Sequence, residues 1–264
     1  MFRNFKTIED YVLSKKQVKT VALANAFDDH ALEALVMAKR KGIVKGILIG
    51  DVARTKKMLE DLGENCEDYE FIEEDDELAS AKLAVKLVKE KKADMPMKGL
   101  MMTSSFMKAI LDKENGLINP GHILSQATIL EFKEENRLMV ISDCAVNIMP
   151  DANKKIMITQ NAIDLAISLG IEKPNVAVLS ALEKVNPAIP STVDASIVAS
   201  YDKYNNLGNI IGPVAMDIAV SKEAALHKGV DSPVCGNADI LIMPDLAAGN
   251  IFTKGLVFFS HFKS

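Results

Sequence analysis

Short apolar runs alternating with amphipathic stretches set the rhythm of the first half of the chain. Lys19–Ala24 is almost wholly apolar, the pattern of a strand buried on both faces. Asp28 and Asp29 follow as helix-capping residues, and His30–Lys41 then places Leu32, Leu35, Val36 and Ala38 on one helical face before Gly42 stops it. The cycle repeats with a strand at Ile43–Ile49, a helix at Asp51–Leu62 closed by Gly63, and a strand at Tyr69–Ile72. A long helix at Asp76–Lys92 carries Leu78, Ala81, Val85 and Val88 on its apolar face, and Met95–Lys98 returns to the sheet. Such alternation implies right-handed crossovers and a parallel sheet covered on both faces.

The turn-rich Gly116-Leu117-Ile118-Asn119-Pro120-Gly121 marks the expected crossing into a second domain. Ile123–Phe132 and Leu138–Ser142 are separated only by the charged turn Lys133-Glu134-Glu135-Asn136, a link that demands an antiparallel hairpin. Alternation resumes with a helix at Asn153–Leu169 ended by Gly170, a strand at Asn175–Ser180 and a helix at Ser191–Tyr204 opened by Pro190. Gly212-Pro213 interrupts Ile210–Val220, Lys222–Lys228 is a short helix, and Ala238–Met243 is a strongly apolar strand. A last helix is expected after Gly249, with Asn250 as its cap and no further strand through Ser264. The predicted fold class is α/β: two α/β domains with mainly parallel sheets, residues 1–121 and 122–264.

Composition narrows the function classes. The 264 residues suit two domains at about 150 residues each. Hydrophobic residues at 48% and charged residues at 25% are ordinary globular values. A net charge of −5 gives no electrostatic reason to seek nucleic acid or an anionic membrane. Arginine is confined to Arg3, Arg40, Arg54 and Arg137, which argues against an arginine-rich anion cage, and the 5% aromatic content without Trp disfavours base stacking. Cys66, Cys144 and Cys235 form no C-x-x-C pair, so neither a disulfide framework nor a thiolate zinc site is indicated. With no apolar run of membrane-spanning length and a mixed-charge N-terminus, a soluble protein of a reducing cytoplasm is expected.

Ligands of open α/β sheets collect beyond the carboxyl ends of parallel strands. The residues placed there are Asn25, Lys98-Gly99 with Thr103 and Ser104, Asp143, Ser180 with Glu183, Asp217, and the stretch Asn237–Lys254. They read either as a cleft for phosphate or another polar ligand, or as the polar strand ends of any α/β protein. The stretch from Gly236 to Lys254 is densest. Pro244 halts a buried strand, Asp245 emerges at its tip, Gly249 permits close backbone approach, and Lys254 is expected one turn inside the next helix.

That stretch resembles the signature of the phosphate acetyltransferase and phosphate butyryltransferase family. Pro96-Met97-Lys98-Gly99, Ser142-Asp143-Cys144-Ala145-Val146-Asn147, Val176–Ser180, Pro190-Ser191-Thr192 and Gly212-Pro213 match in family order, and the likeness is to the phosphate butyryltransferase branch in particular. The resemblance implies an isocitrate/isopropylmalate dehydrogenase-like architecture with the active-site cleft between domains. It implies conversion of acyl-CoA and phosphate to acyl phosphate and CoA, with no metal and no bound cofactor. Acyl-CoA, CoA and inorganic phosphate are then the partners, and a homo-oligomer is expected, the apolar Ile210-Ile211 standing open as interface or core. Carried over by position, Asp143, Asp239 and Asp245 would be catalytic. Lys98, Gly99, Thr103, Ser104, Lys108, Asn237, Asn250 and Lys254 would bind substrate. Lys108 stands where the family often has Arg, which keeps the charge and loses the bidentate fork.

Direct acyl transfer in a ternary complex is the simplest mechanism, and an acyl-cysteine is its rival. Cys144 and Cys235 read better as small buried hydrophobes, and His122 and His227 as structural groups. Family members continue past the positions of Phe258-Phe259-Ser260 into a strand, a Ser-Arg motif and a closing helix that completes the first domain. This sequence lacks those motifs, and weak or absent activity is the expectation. Two other readings stand beside the enzyme. One is a CoA- or phosphate-binding protein without turnover; the other is a decarboxylating dehydrogenase, which four scattered arginines make a poor fit.

Overall fold

A computed structural model describes residues 2–132, 135–204 and 206–260. The chain divides into two compact units, one of Glu9–Gly121 and one formed by the residues up to Ile8 together with those from His122 onward. The sequence pattern places the opening residues in the first unit, and the contacts of the chain place them in the second. The Phe2 amide donates to the Leu169 carbonyl at 3.0 Å, the Phe5 amide donates to the Glu131 carboxylate at 3.0 Å, and Phe2 and Ile8 pack on that unit's apolar cluster. A helix that the pattern did not single out, α1 (Phe5–Ser14), begins there.

In the Glu9–Gly121 unit the order is β1 (Lys19–Ala24), α2 (Asp29–Arg40), β2 (Val44–Gly50), α3 (Val52–Asp61), β3 (Glu70–Glu73), α4 (Glu77–Lys89), β4 (Met95–Lys98) and α5 (Thr103–Ile110). Its four strands are parallel in the order β3-β2-β1-β4. Three of the strand-to-helix joints use one device. Asp28, Asp51 and Asp76 accept the amides of Ala31, Arg54 and Ala79, the N-cap geometry expected of those carboxylates. Leu23, Leu32, Leu48 and Leu59 fill one side of the sheet, and Ala22, Ile49, Ala81 and Val85 the other.

The second unit contains β5 (Ala127–Phe132), β6 (Arg137–Ser142), α6 (Ala152–Ser168), β7 (Asn175–Leu179), α7 (Pro190–Ala199), β8 (Asn209–Val214), α8 (Met216–Val220), α9 (Lys222–His227), β9 (Ile240–Ile242) and α10 (Leu246–Ser260). Its sheet runs β5-β6-β9-β7-β8, with β5 antiparallel to β6 and every other pairing parallel. Lys133 and Glu134 of the expected hairpin turn, and the last four residues, lie outside the described residues.

Four boundaries differ from the sequence pattern. Ile123–Gln126 runs outside the ladder, so β5 starts at Ala127. Gly212-Pro213, expected as an interruption, lies inside edge strand β8, where Pro costs no central ladder bond, and the chain turns helical only at Met216. The predicted helix over Ser191–Tyr204 breaks after Ala199 into a short 3-10 turn. Lastly, α10 starts at Leu246, because Asp245 takes the capping role and accepts the Ala248 amide at 2.9 Å. Ile210 and Ile211 are half-buried on β8 and pack on the apolar clusters of the second unit. Among the described residues no helix is long and apolar enough to cross a membrane.

Candidate functional site

Parallel pairing fixes which residues share an edge of each sheet. In the second unit the carboxyl ends of β6 and β9 deliver Asp143 and Asp245 to the same edge. Asp143 is buried and follows a cis Ser142–Asp143 peptide. Its carboxylate is heavily engaged. Oδ1 accepts the amides of Ala145 and Val146 at 2.9 and 3.0 Å, and Oδ2 accepts the Asn147 amide and side-chain Nδ2 at 3.1 and 2.7 Å. Asn147 Nδ2 also donates to the Leu124 carbonyl at 3.0 Å. Asp143 thereby organises the 143–147 loop.

The start of α10 is stitched onto that loop. The Leu246 amide donates to the Ile148 carbonyl at 3.1 Å, and Asn250 Nδ2 donates to the Cys144 carbonyl at 3.2 Å. Gly249 meets the Asp143 and Cys144 main chain, and Thr253 Oγ1 donates to the Gly249 carbonyl at 2.8 Å. Asn250 is therefore not a cap but sits inside the helix, and exposed Lys254 follows one turn later on the same face. Beneath this junction the Cys144 thiol is 2% exposed. Burial pushes it up to about 11, with the Asp143 charge adding and a Thr253 hydrogen bond opposing.

The same edge carries Ser180 and Ser191, whose hydroxyl oxygens lie 2.7 Å apart at the start of α7. Buried Lys155 of α6 pairs with Asp194 of α7 at 2.8 Å, tying two helices that open there. Asp217 pairs with Lys228 at 3.1 Å, and that ammonium holds its carboxyl below the usual range.

Asp239 and Asn237 do not join this group. They precede β9 and sit at the amino edge of the sheet, the opposite end from Asp143 and Asp245. Asp239 Oδ2 accepts the Asn175 amide at 2.8 Å and its own amide donates to the Asn175 carbonyl at 2.8 Å, so it clamps the start of β7. The Asn237 carbonyl accepts Asn175 Nδ2 at 3.1 Å in the same clamp. Burial raises the Asp239 pKa against the Asn175 bond and the Arg137 charge. The sequence grouped these residues with Asp245 because they adjoin it along the chain, but a strand separates its two ends in space.

In the Glu9–Gly121 unit, β1 and β4 end at Asn25 and Lys98. Gly99 is obligatory there, since a β-carbon would lie 2.1 Å from the Asn25 carbonyl oxygen. Lys98 Nζ turns back onto its own loop, donating to the carbonyls of Gly99 and Met101 at 3.2 and 3.0 Å. Asn25, with φ +48°, donates Nδ2 to the Leu100 carbonyl at 3.0 Å. Thr103 and Ser104 open α5 and are exposed, and the cap position, Met102, makes no side-chain hydrogen bond, so the first amides of the helix remain available to an anion. Lys108 is exposed in the last turn of α5, set apart from that amino end.

Three supporting residues were unassigned by sequence reasoning. Asn147 and Thr253 carry a local signal, each lying four residues beyond its partner. Gln126, which accepts the Cys144 amide with Oε1 at 3.2 Å from just before β5, carries none, because the contact spans the hairpin.

Two α/β units with mainly parallel sheets, with candidate polar residues at the carboxyl ends of their strands, define the architectural class. The chain belongs to the phosphate acetyl/butaryl transferase family, whose model matches residues 74–263. It is accordingly a phosphate acyltransferase. It is 39% identical to the phosphate butyryltransferase of Clostridium acetobutylicum over 98% of this chain and 86% of that protein. It is 35% identical to the phosphate acetyltransferase of Thermotoga maritima over 96% of this chain and 86% of that one. Among solved structures, a branched-chain phosphotransacylase from Enterococcus faecalis V583 superposes with a TM-score of 0.79 at 31% identity, covering 94% of this chain and 86% of that one.

Proposed function

We propose that the chain moves a short acyl group, butyryl in preference to acetyl, between coenzyme A and inorganic phosphate by direct transfer in a ternary complex. The observation that carries the reading is the junction at the carboxyl ends of β6 and β9, where α10 is pinned to the Asp143–Asn147 loop with Cys144 sealed beneath. A nucleophilic cysteine must be a thiolate. The Cys144 thiol, at about 11, stays protonated at neutral pH, and burial raises the Cys235 thiol as well. Neither suits an acyl-enzyme. A phosphate oxygen therefore attacks the thioester carbonyl itself, the C–S bond breaks, and CoA departs as thiolate and takes up a proton. In reverse, a base removes the proton of the CoA thiol, whose free pKa is about 8.5.

Asp245 is the proposed proton acceptor, half-buried at the strand tip with one oxygen on the Ala248 amide. Asp143 holds the loop. Asn250 and Lys254, on one face of α10, supply a donor and a cation for developing negative charge. The amino end of α5, with Thr103 and Ser104, takes phosphate groups, and Lys98 and Gly99 shape the loop before it. The butyryl preference rests on the relatives of 39% and 38% identity named phosphate butyryltransferase. The same reading puts the enzyme in a reducing cytoplasm, in keeping with its three free cysteines, and makes it a homo-oligomer using no bound cofactor.

Thiol release from butyryl-CoA, followed with and without inorganic phosphate, tests the proposal. Phosphate-dependent release with a higher kcat/KM than for acetyl-CoA is expected. CoA binding without turnover would make the chain a binding protein instead. A phosphate-independent burst of thiol equal to the enzyme concentration would restore the acyl-cysteine.

A further inference from the structure

We infer that a cavity between α4 and α5 is a second binding site, chemically suited to a phosphorylated sugar. It encloses about 330 Å³, within the range of small-ligand sites. Its walls are Lys82, Val85, Lys86 and Lys89 of α4 and Glu90 just after it, with Ala109, Asp112 and Asn115 at the end of α5 and in the turn beyond it. It is distinct from the proposed transfer site. α4 leaves the carboxyl end of β3 and runs back toward the amino edge of the sheet, and Ala109 lies at the opposite end of α5 from Thr103 and Ser104.

Each wall offers one part of the ligand's chemistry. Lys82 and Lys86 are one helical turn apart on the same face and both exposed, so both long side chains can reach one phosphate. The Lys86 ammonium is 3.8 Å from Glu90 Oε1, a loose exposed ion pair that a phosphate can outcompete. Val85 and Ala109, each 1% exposed, make a small apolar floor that fits the C–H face of a sugar. Among the described residues none lining the cavity is aromatic, so a nucleobase finds no stacking partner. Opposite the lysines, Asp112 and Asn115 offer acceptors and donors for hydroxyls. The turn fixes the Asp112 carboxylate, whose Oδ1 accepts the Asn115 and Glu114 amides at 2.7 and 3.1 Å.

The test follows the methyl resonances of Val85 and Ala109 in the full chain during titration with glucose 6-phosphate, and in separate arms with glucose and with inorganic phosphate. Glucose 6-phosphate should shift both methyls saturably, about tenfold more tightly than inorganic phosphate, and glucose alone should leave them unmoved. The exposed double variant Lys82→Glu/Lys86→Glu should lose the response while keeping its other resonances and its phosphate-dependent thiol release. Asp112→Asn should weaken the sugar phosphate more than inorganic phosphate. No saturable shift up to tens of millimolar, an equal response to inorganic phosphate, or a response that survives in the double variant would each overturn the inference.

Discussion

Gly249 rests directly on the main chain of Asp143: a β-carbon at 249 would lie 2.8 Å from the Asp143 carbonyl oxygen and 3.1 Å from the Cys144 sulfur. Backbone is the contact, so a side chain cannot be relieved by a rotamer change. Gly249→Ala should push α10 off the 143–147 loop, costing about 1–3 kcal/mol of stability and at least tenfold in phosphate-dependent turnover. Gly255 in the same helix meets nothing within 4 Å, so Gly255→Ala should instead stabilise by up to about 1 kcal/mol. Thermal melts and thiol-release rates on the pair distinguish a packing role from helix propensity.

Cys144→Ala should retain kcat within a few-fold of the parent. In the native enzyme iodoacetamide should modify half-exposed Cys66 well before Cys144, whose thiol is held near 11. A hundredfold fall in turnover, with the melt unchanged, would be incompatible with direct transfer.

At the amino edge, Asp239 carries a pKa raised above the ordinary 3.8. The protonated form is thus favoured by folding, and its contribution is full below 3.8 and lost as pH rises through the folded value. Asp239→Asn keeps an acceptor for the Asn175 amide and removes the buried charge. The variant should match or exceed the parent's Tm at pH 7, the difference shrinking as pH falls toward 3.8, with turnover unaltered.

Glu64 behaves in the opposite sense. Burial pushes its carboxyl up, but bonds from Lys39 at 2.8 Å, Tyr69 at 2.7 Å and Arg40 at 2.8 Å outweigh that and hold it at about 2, against an ordinary 4.5. Its contribution is present above pH 4.5 and lost as pH falls toward 2. Glu64→Gln should destabilise by about 1–3 kcal/mol at pH 7, and melts of the two proteins should converge in acid.

The strand–helix alternation was legible because each joint announces itself locally. Asp28, Asp51 and Asp76 precede their helices by one residue, and the caps form as their chemistry requires. Asn250 shows the limit. Aspartate and asparagine cap equally well, and it is the Leu246 amide bonded to the Ile148 carbonyl, with Asp245 accepting the Ala248 amide, that starts α10 there. The candidate site was legible as a set of strand ends but not as a geometry. Chain neighbours Asp239 and Asp245 went to opposite edges of one sheet, whereas Cys144 and Asn250, far apart along the chain, came into hydrogen-bonded contact. The first helix escaped notice because its support is tertiary, through Phe2, Phe5 and Ile8.

The Asn175–Asp239 clamp, standing at the far rim of its sheet from Asp143 and Asp245, also says where the molecule can be handled. A tether, fusion partner or bead attached beside exposed Asn237 would load the strands at their anchored end, at the opposite edge of that sheet from the proposed proton acceptor Asp245. Immobilisation for continuous use should begin there.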